Sequence, residues 1–171
     1  ARSGASVVRL KSGDPMLFGR AEEELAAAAR FDIPVEVVPG ITAASAAAAA
    51  MKRPLSERGA TDRVVLATGT CRPGDAAPDV TDLMQPGTTV ALYMATRAAA
   101  QIRARLLEMH FDPELPVDIV ASASRRDEKI VSTTLVNLCA CMEAEGISHP
   151  AILLFRQPKR QRRAEVRKLT A

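Results

Sequence analysis

Tryptophan is absent from this 171-residue chain, tyrosine occurs once and phenylalanine four times, so aromatics make up only 3%. That scarcity excludes a stacking platform for single-stranded nucleic acid. With 47% hydrophobic residues a sizeable core is still possible, and it must be filled by Ala, Val, Leu and Ile. Cysteine occurs three times, at Cys71, Cys139 and Cys141. An odd, sparse set argues against a disulfide framework. Cys139 and Cys141 stand two apart in a helical pattern and point to different faces, which argues against a metal site. Small buried hydrophobes are the expected reading, and no metal is expected. The histidines, His110 and His149, are isolated and have no visible triad partner. No apolar run is long enough to span a bilayer, since Ala43 to Met51 is short and built of small residues. There is no hydrophobic signal segment either, so a cytoplasmic protein without a membrane partner is expected. The dinucleotide fingerprint G-x-G-x-x-G, the P-loop and H-E-x-x-H are all missing, which removes the commonest signatures of nucleotide and zinc chemistry.

Charge is unevenly spread. The net charge is +3 and the pI about 9.0. Lys159, Arg160, Arg162, Arg163, Arg167 and Lys168 oppose only Glu165, and the rest of the chain is slightly acidic. Such a tail could meet nucleic acid or an acidic partner, but a solvated terminal extension over 159–171 is expected, and nucleic acid is not an expected partner.

Strand and helix patterns alternate. Val7 to Leu10 and Val35 to Val38 read as strands, Arg20 to Arg30 and Thr42 to Met51 as helices. Lys52 to Gly59 is polar and turn-like, a linker pattern. Strands are then predicted at Arg63–Thr68, Thr88–Met94, Pro116–Ser122, Lys129–Thr134 and Ala151–Phe155, with helices at Asp79–Met84, Ala95–Glu108 and Leu135–Glu145. The stretch between Ser122 and Lys129 is too short for a helical crossover, so the second block should mix parallel and antiparallel pairing. An α/β fold in two lobes follows: a partial N-terminal lobe at 1–55, a C-terminal lobe with a mixed sheet at 60–158, and the basic tail. Because Ala1 leads almost at once into a strand pattern, a segment upstream is expected to be missing.

Two stretches break from an apolar run into a glycine turn and reopen as a helix: Ser12-Gly13-Asp14-Pro15 and Pro39-Gly40-Ile41-Thr42-Ala43. In open α/β sheets ligands bind at such breaks, outside the carboxyl ends of strands. Gly13 permits close backbone approach, and Ser12 and Asp14 suit a zwitterionic head group, although an ordinary turn uses the same residues. Thr42 could cap the following helix, whose free amides favour negative charge. Arg20 and Glu23, three apart, share a helical face; Arg20 could clamp a carboxylate, or the two form a plain surface pair.

In this order, Val8 to Pro15, Phe18-Gly19-Arg20, Val35 to Ser45, Pro54-Leu55 with Arg58, Ala67-Thr68-Gly69, Tyr93-Met94 and Pro150-Ala151-Ile152 resemble the tetrapyrrole methylases. The resemblance runs to about Phe155 and is nearest to the branch acting on uroporphyrinogen III. It implies a two-lobed fold with S-adenosylmethionine in the cleft, contacted at Ser12, Gly13, Asp14, Leu17, Thr42, Ala43, Met94 and Ala123. It further implies that Arg20, Glu23 and Arg58 serve the tetrapyrrole side, and that the protein is a homodimer. There are departures: Ser12 replaces a family Gly, Ala95 follows Met94 in place of Gly, and Ala121-Ser122-Ala123 replaces Glu-Asn-Gly. The family's opening strand, with its Gly-Pro-Gly-x-Pro loop, is not matched. The expected function is C-methylation of uroporphyrinogen III for siroheme or cobalamin, with weak or no turnover from these residues alone. The alternatives are a precorrin methyltransferase of the cobalamin pathway, a ribosomal RNA methylase of the same fold, or a truncated, non-catalytic cofactor-binding module.

Overall fold

Pairing in the second half of the chain is set by runs such as Thr88–Tyr93 and Ala151–Gln157, whose β-branched and apolar residues suit a sheet buried on both sides. The computed structural model describes residues 1–70 and 79–159; Cys71 and the tail residues from Arg160 to Lys168 lie outside them. Strands β1 (Arg63–Thr68), β2 (Thr88–Tyr93), β3 (Pro116–Ala121), β4 (Lys129–Thr134) and β5 (Ala151–Gln157) form a sheet in the order β1-β2-β5-β3-β4. β1 and β2 are parallel, with Arg63 opposite Thr88, and the other pairs are antiparallel. The expected mixed pairing is therefore present, with Pro116 opposite Thr134 and Ala121 opposite Lys129.

Strand alternation divides the core between two faces. Val90, Leu92, Val117, Ile119, Leu153 and Phe155 face α4 (Ala99–Glu108) and α5 (Leu138–Ala144), where they meet Ile102, Leu106, Leu138 and Met142. On the opposite face Ala91, Tyr93, Val120, Ile152 and Leu154 meet Ala44 and Ala47 of α2 (Ala43–Ala50). One turn of alanines lets the α2 backbone lie close to the strands. α1 (Ala21–Ala29) buries no residue, and α3 (Val80–Leu83) starts where the Asp79 carboxylate accepts the Thr81 N–H. α4 is preceded by a 3-10 turn at Thr96–Ala98, so the helix proper begins later than Ala95. α5 begins at Leu138, and the Leu135 N–H ahead of it donates to the Leu115 carbonyl at 2.9 Å.

Two strand expectations are corrected. Val7–Leu10 and Val35–Val38 are not strands. No backbone hydrogen bond joins either segment to another described residue, and a strand exists only as part of a ladder. Val8 and Leu10 are 79% and 81% exposed, and a groove of about 1010 Å³ opens between the two segments, with Leu25 and Ala28 of α1 on its wall.

The linker pattern also needs correction, because part of Lys52–Gly59 is anchored to the sheet. Asp118, 3% exposed, accepts from Arg156 Nε (3.1 Å), Arg53 Nη1 (3.3 Å) and Ser132 Oγ (2.6 Å). Arg156 also donates through Nη1 to the Pro54 carbonyl at 2.9 Å. A buried carboxylate in this position needs such partners, and the linker supplies one of them. Lys159, assigned above to the solvated tail, instead lies on the body: its ammonium pairs with Asp62 and its N–H donates to the Ala60 carbonyl.

Candidate functional site

The first glycine turn is held by its own acid. Asp14 Oδ1 accepts the Met16 N–H at 2.8 Å and the Asp14 carbonyl accepts the Leu17 N–H at 3.2 Å, while Gly13 adopts φ +76°. These bonds fold the chain back and press Gly13 against the second turn. A Cβ at Gly40 would lie 2.0 Å from the Gly13 carbonyl oxygen and 3.2 Å from the Asp14 Cα, so only glycine allows the two backbones to touch here.

Thr42 does not cap α2 with its side chain, which corrects the expectation. The Thr42 hydroxyl is instead 2.6 Å from the Tyr93 phenol oxygen, and that same oxygen accepts the Ala44 N–H at 3.1 Å. The Tyr93 ring lies 4.9 Å from the Phe18 ring, so the first turn reaches the same point. Met94, next in sequence, is 49% exposed with φ +53°. Leu17, Ala43 and Ala123 pack on the apolar cluster that contains Tyr93 and Ala44. Gly13, Asp14, Leu17, Thr42, Ala43, Met94 and Ala123 thus belong to segments that converge on Tyr93, and Ser12 is exposed beside Gly13. The sequence alone assigns Tyr93 no role of its own. Its signal was a sole tyrosine at the carboxyl end of a strand, directly before Met94.

Of the residues expected on the tetrapyrrole side, Arg20 and Glu23 stand together. Arg20, the N-terminal boundary of α1, adopts φ +56° and grips Glu23 with Nε to Oε1 at 2.9 Å and Nη2 to Oε2 at 2.5 Å. Glu23 holds the Arg20 guanidinium above its ordinary value, through the hydrogen bond first and charge second. Their side chains are 78% and 51% exposed, beside a hollow of about 690 Å³ lined by Met16, Phe18, Leu25 and Ala29. Arg58 stands in a separate exposed turn closed by the Glu57–Thr61 bridge.

Glu24, one residue on, ties α1 to the first turn by accepting from Lys11 Nζ (2.8 Å) and Arg9 Nε (3.2 Å). The Lys11 bond is the main cause that lowers the Glu24 carboxyl below its ordinary 4.5. A depressed carboxyl favours the folded arrangement above its unfolded value and loses that effect as pH falls through the folded one. Hydrogen exchange at Met16 and Leu17, the amides bonded in the first turn, should therefore speed up selectively below about pH 4.5, and Glu24→Gln should show the faster exchange already at neutral pH. Equal exchange in the two proteins at neutral pH would rule out the tie.

Among the described residues no group of His, Cys, Asp or Glu is placed to hold a metal ion, and no helix is long and apolar enough to cross a membrane.

Residues 1–139 match the family model of Tetrapyrrole (Corrin/Porphyrin) Methylases. A siroheme synthase of Klebsiella pneumoniae is 42% identical over 138 residues, which are 81% of this chain and 29% of that protein. Among solved structures, a cobalt precorrin-4 methyltransferase matches with a TM-score of 0.82 at 32% identity, over 91% of this chain and 65% of the other. A uroporphyrin-III C-methyltransferase from Thermus thermophilus, complexed with S-adenosyl homocysteine, matches with a TM-score of 0.75 at 33% identity, over 91% and 68%. The chain thus spans less than a third of this curated relative and about two thirds of these solved chains.

Proposed function

Because the chain belongs to the tetrapyrrole methylases, we propose that it takes part in S-adenosylmethionine-dependent C-methylation of uroporphyrinogen III, leading to siroheme or cobalamin. The observation that carries this reading is the meeting of both glycine turns with the end of β2, through Gly13–Gly40 and Thr42–Tyr93. The donor set there fits the methyl donor. Among the described residues Asp14 keeps one carboxylate oxygen without a partner, available to an ammonium group, and Leu17, Ala43 and Ala123 offer an apolar wall.

When bound, the sulfonium supplies an electrophilic methyl group. Holding donor and pyrrole carbon in line can lower the barrier by ~7 kcal/mol or more. In this reading Met94 borders the transfer path and Ala43 helps to keep it dry. Arg20 and Arg58 neutralise substrate carboxylates. Glu23 takes the proton that the cationic ring gives up elsewhere after the methyl group has arrived, and the bonding pair left behind neutralises the ring. The reading further places the protein in the cytoplasm as a homodimer.

The second reading, a precorrin methyltransferase, is supported by the TM-score of 0.82 to the cobalt precorrin-4 enzyme. One pair of experiments tests both. Titration of the purified protein with S-adenosyl homocysteine, followed by NMR, should perturb Asp14, Thr42 and Met94. Incubation with S-adenosylmethionine and uroporphyrinogen III should then give a fluorescent methylated tetrapyrrole. Turnover should be weak, because the exposed segments at Val7–Leu10 and Val35–Val38 leave the first turn poorly supported. Absence of any binding at the three residues sinks the reading, and product only from a precorrin moves it to the alternative.

A further inference from the structure

Tyr93 is 8% exposed, yet its phenol oxygen joins the α2 entry to the end of β2, and its ring meets Phe18 of the first turn. Resting on the function proposed above, we infer that Tyr93 is a positioning residue: its hydroxyl replaces the missing N-cap of α2 and aims the Thr42 hydroxyl at the methyl-donor site.

A phenol has one proton to donate and lone pairs to accept with. The Ala44 N–H can only donate, so it occupies a lone pair of Tyr93 Oη. Either oxygen can donate in the Thr42–Tyr93 bond at 2.6 Å, and in both cases the bond fixes the Thr42 oxygen. In the ordinary N-cap arrangement the Thr42 oxygen would accept a helix amide, and its position would be fixed by α2 alone. Here its position is fixed by β2. The site geometry is thereby referred to the sheet, whose strand β2 is buried along its full length. The tilted Phe18 ring limits Tyr93 from the side of the first turn.

The test compares Tyr93→Phe, Thr42→Val and the double variant by NMR titration with S-adenosyl homocysteine, with hydrogen exchange at Ala44 as a second readout. Tyr93→Phe should weaken binding about five- to tenfold, the loss expected for one well-formed hydrogen bond to a site group. Thr42→Val should weaken it by a similar factor. The double variant should be no weaker than the worse single one, because both act through one bond. Exchange at Ala44 should accelerate in Tyr93→Phe and stay unchanged in Thr42→Val. If Tyr93→Phe fails to fold, Thr42→Val still tests the bond, since its binding should fall with Ala44 exchange unchanged. Tyr93→Phe binding as tightly as the parent, or single losses that multiply in the double variant, overturns the role of Tyr93 and leaves the functional reading standing. A parent protein that binds no S-adenosyl homocysteine overturns both.

Discussion

Gly40→Ala is expected to weaken S-adenosyl homocysteine binding by ~10-fold or more while leaving the thermal melt of the sheet almost unchanged. The cause is purely steric. A Cβ at Gly40 would lie 2.0 Å from the Gly13 carbonyl oxygen and 2.9 Å from its carbon, and both are backbone atoms that cannot swing aside. The two turns must move apart, and the Asp14 Cα, 3.2 Å from the same point, moves with the first of them. Exposed turns can separate at little cost to the core, since Gly13, Gly40 and Ile41 are all exposed. Calorimetric melting together with the NMR titration separates the two effects. A variant that binds like the parent would mean that the Gly13–Gly40 contact is irrelevant to the site.

The largest stability effect is expected at Asp118. Asp118→Ala removes the carboxylate that satisfies Arg156, Arg53 and Ser132 together. The Arg156 side chain is only 9% exposed, and its Nη2 already lacks a partner among the described residues. Leaving that cation buried without its counter-charge should cost ~3–5 kcal/mol, read from urea denaturation. Ser132→Ala, which removes a neutral donor, should cost ~1 kcal/mol. The ranking is the test: a loss at Asp118 no larger than at Ser132 would mean that the linker anchor contributes nothing beyond one hydrogen bond. Because Arg53 and the Pro54 carbonyl are held by this cluster, Asp118→Ala should also free residues 52–58 to exchange faster.

Much of the fold could be read from local pattern. The apolar runs at Thr88–Tyr93 and Ala151–Gln157, the spacing of Ala99, Ile102 and Leu106, and the short Ser122–Lys129 connection define elements within a few residues of one another. The paired glycine turns and the Tyr93-Met94 motif were equally legible as segments, and with the family match they point to one site. Val7–Leu10 shows the limit of such reading. Its residues have strand character, but a ladder needs a second backbone at the right distance, and residue type does not provide one.

What the sequence determined by itself was the set of elements, the mixed pairing around β3 and β4, and the family, because each rests on neighbours close along the chain or on ordered motifs. What only the tertiary structure decided was who partners whom at long range. Thr42 finds Tyr93 across 51 positions, and Asp118 finds Arg156 across 38. A hydroxyl or a buried carboxylate takes whichever complementary group the packed sheet brings within hydrogen-bond reach, and that distance is a property of the fold, not of the residue.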